Sequence, residues 1–286
     1  MSATRKEVLP TRPVLRYHGG KWVLAPWIIS FFPPHRVYVE PFGGAGSVLV
    51  RKPRSYAEIW NDLDGDVVNL FRVLRSDKAK ALINSLKLTP FARDELTLSY
   101  TNTGDDIERA RKLCFRSFAG RSSNSHSKRS SFRGNSNQSG TSPAQDWVNY
   151  PAALAIVVER LSGVVIENRD AQKVMAAHDG PETLHYVDPP YVFSTRDAGK
   201  DYLHEMSDGD HDDLLVFLRG LRGMVVLSGY PNDIYDTALS DWRRVSRLAL
   251  ADGARERTEV LWLNPAASRN LEKATAQQPL FGEAAE

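Results

Sequence analysis

"RVYVEPFGGAGSVLVRK", residues 36–52, decides the fold. Its first half, "RVYVEPF", reads as a strand, and "GSVLVRK" reads as the start of a helix. Between them Gly43, Gly44 and Gly46 let the backbone turn sharply and approach a ligand closely. A strand that passes through glycines into a helix is the joint at which open α/β sheets bind nucleotide-like ligands. The loop is not a phosphate-binding P-loop, because no Gly-Lys-Ser/Thr follows it. It is a poor dinucleotide fingerprint too, since Leu49 stands where the third glycine falls when counting from Gly44.

Working outward, "YAEIWND" (56–62) reads as a second strand and "GDVVNLFRVLR" (65–75) as a second helix. Strand patterns return at "GVVIENR", "TLHYVDPP", "GMVVLSGY", "WRRVSRLAL" and "TEVLWLNP", and a helix "DGDHDDLLVFLRGLR" opens after Ser207, a good N-cap. The alternation predicts a mostly parallel α/β sheet with helices on both faces. Asp62 ends the second strand eighteen positions after Gly44, where a carboxylate accepts hydrogen bonds from both ribose hydroxyls of a nucleoside. The structural alternative is that Asp62 or Asp64 caps the next helix. Asp170 presents the same choice, between an adenine amino group and the N-terminus of "AQKVMAAH". Without phosphate signals, the expected cofactor is a nucleoside carrying none.

Composition sets the outer bounds. With 42% hydrophobic and 25% charged residues in 286, the chain is long enough for one large domain with an insertion. No stretch reaches about 18 uninterrupted apolar residues and no signal peptide is evident, so a cytoplasmic protein with no membrane partner is expected. Cys114 is the single cysteine, so there is no internal disulfide and no metal site is expected. In "ARKLCFRSF" it reads as a buried helix position, and the mechanism has to work without a thiolate.

Residues 77–160 interrupt the sheet pattern with helical segments and then "GRSSNSHSKRSSFRGNSNQSGTS" (120–142), nine serines in 23 residues. Such a stretch buries too little apolar surface to fold alone. No acidic residue lies between Glu108 and Asp146, while eight basic residues do, a formal +8 against +2 for the whole chain. Charge concentrated in this way is the footprint of a nucleic-acid surface, or else of a solvated basic loop. The organisation expected is a catalytic domain from 1–76 and 161–270, an inserted, mainly helical basic domain at 77–160, and a flexible tail at 271–286. Poor order is expected from Pro265 onward.

"RYHGGK" (16–21), "VEPFGGAGSVL" (39–49), "NDLDGDVVNLF" (61–71), "YVDPPY" (186–191) and "TEVLWLNP" (258–265) together resemble, in order, the motifs of the Dam-type (class alpha) DNA adenine-N6 methyltransferases. The resemblance implies a Rossmann-like fold that uses S-adenosyl-L-methionine and acts on double-stranded DNA, of the kind found in bacterial or phage methylation and restriction-modification, as a monomer. It implies that Phe42, Gly44 and Gly46 cradle the cofactor with Glu40 and Gly43 beside them. Asp62 holds the ribose, and Tyr17 and Lys21 belong to the cofactor and active-site pocket. Family members often carry Trp and Ala where this chain has Tyr17 and His18. The insertion falls where the family places its target-recognition domain, which makes Arg116, Arg121, Lys128, Arg129 and Arg133 the expected DNA contacts, with "SKRSSFRGN" ordering on DNA.

Asp188, Pro189, Pro190 and Tyr191 form the expected catalytic loop. An adenine amino nitrogen is a poor nucleophile because its lone pair is delocalised into the ring. Asp188, which also borders the cofactor, accepts one N–H and a backbone carbonyl, that of Pro189, accepts the other, which favours a tetrahedral nitrogen and stabilises its developing charge. The two prolines stiffen the loop and remove donors from it, and Tyr191 is expected to stack on the flipped base. The same loop chemistry suits cytosine, an RNA base or a glutamine amide, and a catalytically silent DNA-binding protein is the reading from another class.

Overall fold

The computed structural model describes residues 9–134, 141–195, 203–250 and 256–277. Its strands are β1 (Val37–Glu40), β2 (Ala57–Asn61), β3 (Val164–Glu167), β4 (Thr183–Val187), β5 (Met224–Gly229), β6 (Arg243–Leu250) and β7 (Glu256–Leu263). The helices are α1 (Ala25–Ile29), α2 (Ser47–Arg51), α3 (Gly65–Leu74), α4 (Ala79–Leu88), α5 (Arg93–Ser99), α6 (Asp106–Ala119), α7 (Pro143–Arg160), α8 (Ala171–Ala177), α9 (Asp208–Gly220), α10 (Asp233–Ala238) and α11 (Pro265–Ala276).

The strands form one sheet in the order β3-β2-β1-β4-β5-β7-β6. β1 pairs in parallel with both β2 and β4, whereas β7 lies antiparallel between β5 and β6. The strand order reverses direction between β1 and β4, and the crevice at the carboxyl ends of such a break is where open α/β sheets hold ligands. The glycine loop leaves β1 there and the Asp-Pro-Pro-Tyr loop leaves β4 beside it.

Both faces of the sheet are covered, so its central strands are apolar on both sides. Tyr38 and Trp60 point into one cluster with α2, α3 and α7, while Val39 and Ile59 point into the opposite one with α8 and α9. The helices of 77–160 share the first cluster: Leu82, Phe115, Trp147 and Leu154 pack in the same core as Tyr38 and Trp60. At the end of α7 the buried Arg160 guanidinium donates to Glu58 on β2 at 2.7 Å, and Lys52 reaches the same carboxylate at 2.7 Å. The inserted segment is therefore welded to the sheet rather than linked to it.

Two expectations of disorder are corrected. Residues 265–276 form α11, capped by Asn264 through the Ala267 amide and anchored by buried Ala267; residues 278–286 of the expected tail lie outside the described residues. The serine-rich segment is folded as far as Gly134: Gly120 bridges Phe132, and the Tyr100 hydroxyl donates to the carbonyls of Ser125 and Lys128 at 3.1 Å each. Its backbone is satisfied by neighbours in α5 and α6, which replaces the apolar burial it lacks. Cys114 is buried in α6 as expected, and burial pushes its thiol up to about 12, so it is no nucleophile.

Candidate active site

The glycine loop owes its path to close packing. A Cβ on Gly43 would lie 2.0 Å from the Trp60 indole nitrogen, and Trp60 is itself stacked on Phe71 with centroids 4.0 Å apart. Gly44 and Gly46 have φ of +47° and +62°, the left-handed region open to glycine, and Gly46 begins α2 from that conformation. The loop is held by Asp62, whose carboxylate accepts the Gly44 amide at 2.7 Å and the Asp64 amide at 2.8 Å. Asp64 is the residue that caps α3. The choice between ribose ligand and helix cap is thus divided: Asp64 caps, and Asp62 staples the loop while each of its oxygens keeps a lone pair. Burial raises the Asp62 carboxyl to about 6, against the two amides that lower it.

A cleft opens over this loop. Its wall takes in Tyr17 and Lys21 from the N-terminal motif, Glu40, Phe42, Gly43 and Gly44 from the first strand and loop, Asp62 from β2, and Asp188 and Pro190 from the β4 loop. Motifs far apart in sequence therefore meet in one cavity. Gly46, Pro189 and Tyr191 are not among the residues that line it. Asp170 takes the capping role its position offered, accepting the Lys173 amide at 3.0 Å through Oδ1, and its neighbour Ala171 rather than Asp170 itself lines the cleft.

The wall suits a polar, nucleoside-like ligand. Ser47, which lines the cleft at the start of α2, is buried with its hydroxyl unpartnered, a cost that a polar ligand removes. The Tyr17 ring packs over Gly44, where a Cβ would come within 3.0 Å of it.

Around Asp188 the site is strongly polar. Lys21 sits 3.0 Å from Asp188 Oδ2, and the Ser228 hydroxyl donates to Oδ1 at 2.7 Å. Glu259 on β7 faces the same lysine at 3.9 Å. Tyr191 departs from its expected role as a base-stacking ring. It is buried, its hydroxyl donates to Glu259, Lys21 Nζ lies 4.6 Å from its ring centre and Tyr230 packs edge-on at 4.7 Å. A ring enclosed in this way braces the loop.

Glu40 is buried and accepts the Tyr38 hydroxyl at 2.7 Å; burial pushes its carboxyl up to about 8. The folded chain therefore keeps a proton there that the unfolded chain releases near pH 4.5, so the stability it contributes is complete below that pH and is lost as pH rises toward 8. Glu259, raised to about 7 chiefly by burial, acts in the same direction. Glu40→Gln is expected to flatten the fall in melting temperature between pH 5.5 and 8.5. Parallel curves for the two proteins in a thermal-shift series would contradict the assignment.

The basic segment is smaller than its sequence suggests. Arg116 is buried, with its guanidinium on Asp66, the Ser99 carbonyl and the His126 carbonyl, and Arg109 pairs with Asp66 as well. Arg116 is thereby corrected from a DNA contact to an internal tie between α6 and α3. Arg111 is bound to Glu95 and Glu108. Arg121, Lys128 and Arg129 are exposed and Arg133 is half-buried, lowered to about 10 by burial and by neighbouring Arg16.

Four residues of the site carry little trace in sequence. Ser228 is a lone hydroxyl in an apolar strand, Glu259 a lone acid in "TEVLWL", and Ser47 an ordinary helix start. His126 is buried and stacks on Tyr17 with centroids 4.1 Å apart, tying the basic segment to the cleft wall; nothing in its surroundings in the chain points to this.

A sheet with its seventh strand reversed between the fifth and sixth, and with its ligand cleft at the β1/β4 break, is that of the Rossmann-like methyltransferases. Within that class residues 17–240 match the D12 class N6 adenine-specific DNA methyltransferases, and the chain belongs to that family. An 87-residue stretch is 32% identical to the DNA adenine methylase of Serratia marcescens, and it covers 30% of this chain and 28% of that protein. No helix among the described residues is long and apolar enough to cross a membrane.

Proposed function

We propose that the protein transfers a methyl group from S-adenosyl-L-methionine to the N6 amine of adenine in double-stranded DNA, with the base flipped into the cleft. The observation that carries this is the Asp188 carboxylate at the end of β4, opening onto the same cleft as the glycine loop and Asp62. The bound cofactor supplies an electrophilic methyl on a sulfonium. Tyr17, Phe42, Gly44 and Asp62 hold it, with Asp62 receiving the ribose and Ser47 offering a further hydroxyl. Asp188 accepts one N–H of the target amine. Held by the Ser228 hydroxyl, it is aimed before charge develops on the nitrogen. The backbone of the same loop, at the Pro189 carbonyl, is the acceptor proposed for the other N–H once the base enters beside Asp188 and Pro190. In-line attack needs positioning and no covalent enzyme intermediate.

Incubation with labelled cofactor and unmethylated duplex, followed by nucleoside digestion, tests this. Label is expected in N6-methyladenine; label in cytosine alone, or none in DNA, would sink it. The exposed cations of the inserted segment supply phosphate contacts. Lys128→Ala with Arg129→Ala is expected to weaken binding to all duplexes and to lower the slope of log affinity against log salt by about 2. Arg116→Ala should leave that slope unchanged and instead destabilise the fold by about 2 kcal/mol, since it removes charged hydrogen bonds from a buried site. Equal salt slopes for the double variant and the parent would contradict the assignment.

A further inference from the structure

We propose that Glu259 is a positioning residue of the methyl-transfer site, which draws the Lys21 ammonium away from the reacting amine so that Asp188 can serve it. The inference rests on the adenine-methylation reading of the same cleft. In the structure Lys21 lies 2.7 Å from the Gly19 carbonyl, 3.0 Å from Asp188 Oδ2 and 3.9 Å from Glu259 Oε1. It is one cation shared unequally between two carboxylates. Asp188 already takes Ser228 on its other oxygen at 2.7 Å.

That arrangement suits the protein without substrate and opposes the reaction. A target amine hydrogen-bonding to Asp188 meets a full positive charge at the same oxygen. The amine nitrogen becomes positive as the methyl arrives, and two like charges a few ångströms apart in a buried site repel strongly. An ångström of movement carries Lys21 from salt-bridge range of Glu259 into hydrogen-bond range. Asp188 then keeps its Ser228 bond and gains a free acceptor position for the amine.

Glu259 is built to receive the lysine. Its side chain is only 4% exposed, and it projects from β7, which is paired on both sides, to β5 and β6. The Tyr191 hydroxyl donates to the same Oε1 that faces Lys21, and Lys21 rests over the Tyr191 ring. Tyr191 thus steers Glu259 and supplies a π face along which the ammonium can slide. A purely structural acceptor for a tyrosine hydroxyl would need no charge; a carboxylate in this enclosed place beside a shared lysine does.

Glu259→Gln keeps the volume and an acceptor for Tyr191 and removes the charge. At pH 8.5, where Glu259 is ionised, and at saturating DNA and cofactor, the single-turnover rate of methyl transfer is expected to fall at least about tenfold, with dissociation constants for cofactor and duplex within about threefold of the parent. Since Glu259 acts through Lys21, the same substitution in a Lys21→Met background should cost nothing further. A rate within about threefold of the parent, a loss confined to cofactor affinity, or additive effects with Lys21→Met would each overturn the proposal. If Glu259→Gln does not fold, Glu259→Asp carries the test, because its charge sits one carbon farther from Lys21: a slower rate with intact cofactor affinity supports the proposal, and an unchanged rate overturns it. The parent protein is assayed first. Absence of label in adenine there counts against the methylation reading, whereas an active parent with an equally active Glu259→Gln counts against this inference alone.

Discussion

Asp188→Ala is expected to lower methyl transfer by at least about 10³-fold while the protein stays folded and binds cofactor. The side chain sits on a loop rather than in the core, is 16% exposed and opens onto the cleft. Its two oxygens are occupied by Ser228 and Lys21, so it is aimed before any substrate arrives. Removing it leaves the target amine with one acceptor fewer and no carboxylate beside the nitrogen that becomes positive. Both changes raise the transition state more than the bound state, so the effect falls on turnover rather than on substrate affinity. Lys21 keeps Glu259 within reach at 3.9 Å, which is why the fold survives. Rapid-quench measurement of methyl transfer with cofactor binding by calorimetry decides it. Turnover within tenfold of the parent would show that the acceptor lies elsewhere.

Gly43→Ala is expected to destabilise the fold by about 3 kcal/mol or more and to abolish cofactor binding. The added methyl would collide with the Trp60 indole at 2.0 Å. Trp60 is wholly buried and pinned against Phe71, so the indole cannot yield and the loop must lift instead. Lifting it breaks the bond from Gly44 to Asp62, which holds the cleft wall in place. A drop in melting temperature of roughly 6–12 °C follows for a chain of this size. An unchanged melting temperature with intact cofactor binding would mean that the loop has room the packing does not show.

The strands and the glycine loop were legible because their signals are local. Short apolar runs bounded by turn residues mark β1, β2, β4 and β5, and glycines mark the turn after β1. Asp62 and Asp188 were legible as well, since each ends a strand and stands next to a recognisable loop. Arg116 was misread because a basic run in sequence does not reveal which of its members face inward; Asp66 on another helix takes its charge. Tyr191 was misread for a similar reason. An aromatic beside an acidic loop suggests a stacking platform, and only the packing of Tyr230, Lys21 and Glu259 around it shows a brace.

By itself the sequence determined the kind of sheet, the place of its cleft and the carboxylates that border it, because strand period, glycine spacing and strand ends are properties of short windows. The tertiary structure alone decided that Glu259 and Asp188 share the Lys21 ammonium, that His126 covers Tyr17, and that Arg109, Arg111 and Arg116 of the basic run are paired with carboxylates of the protein. Those pairings follow from which residues become buried together: desolvation makes an unpaired charge costly, and the partner that relieves it is chosen by strand register and helix packing across the whole chain.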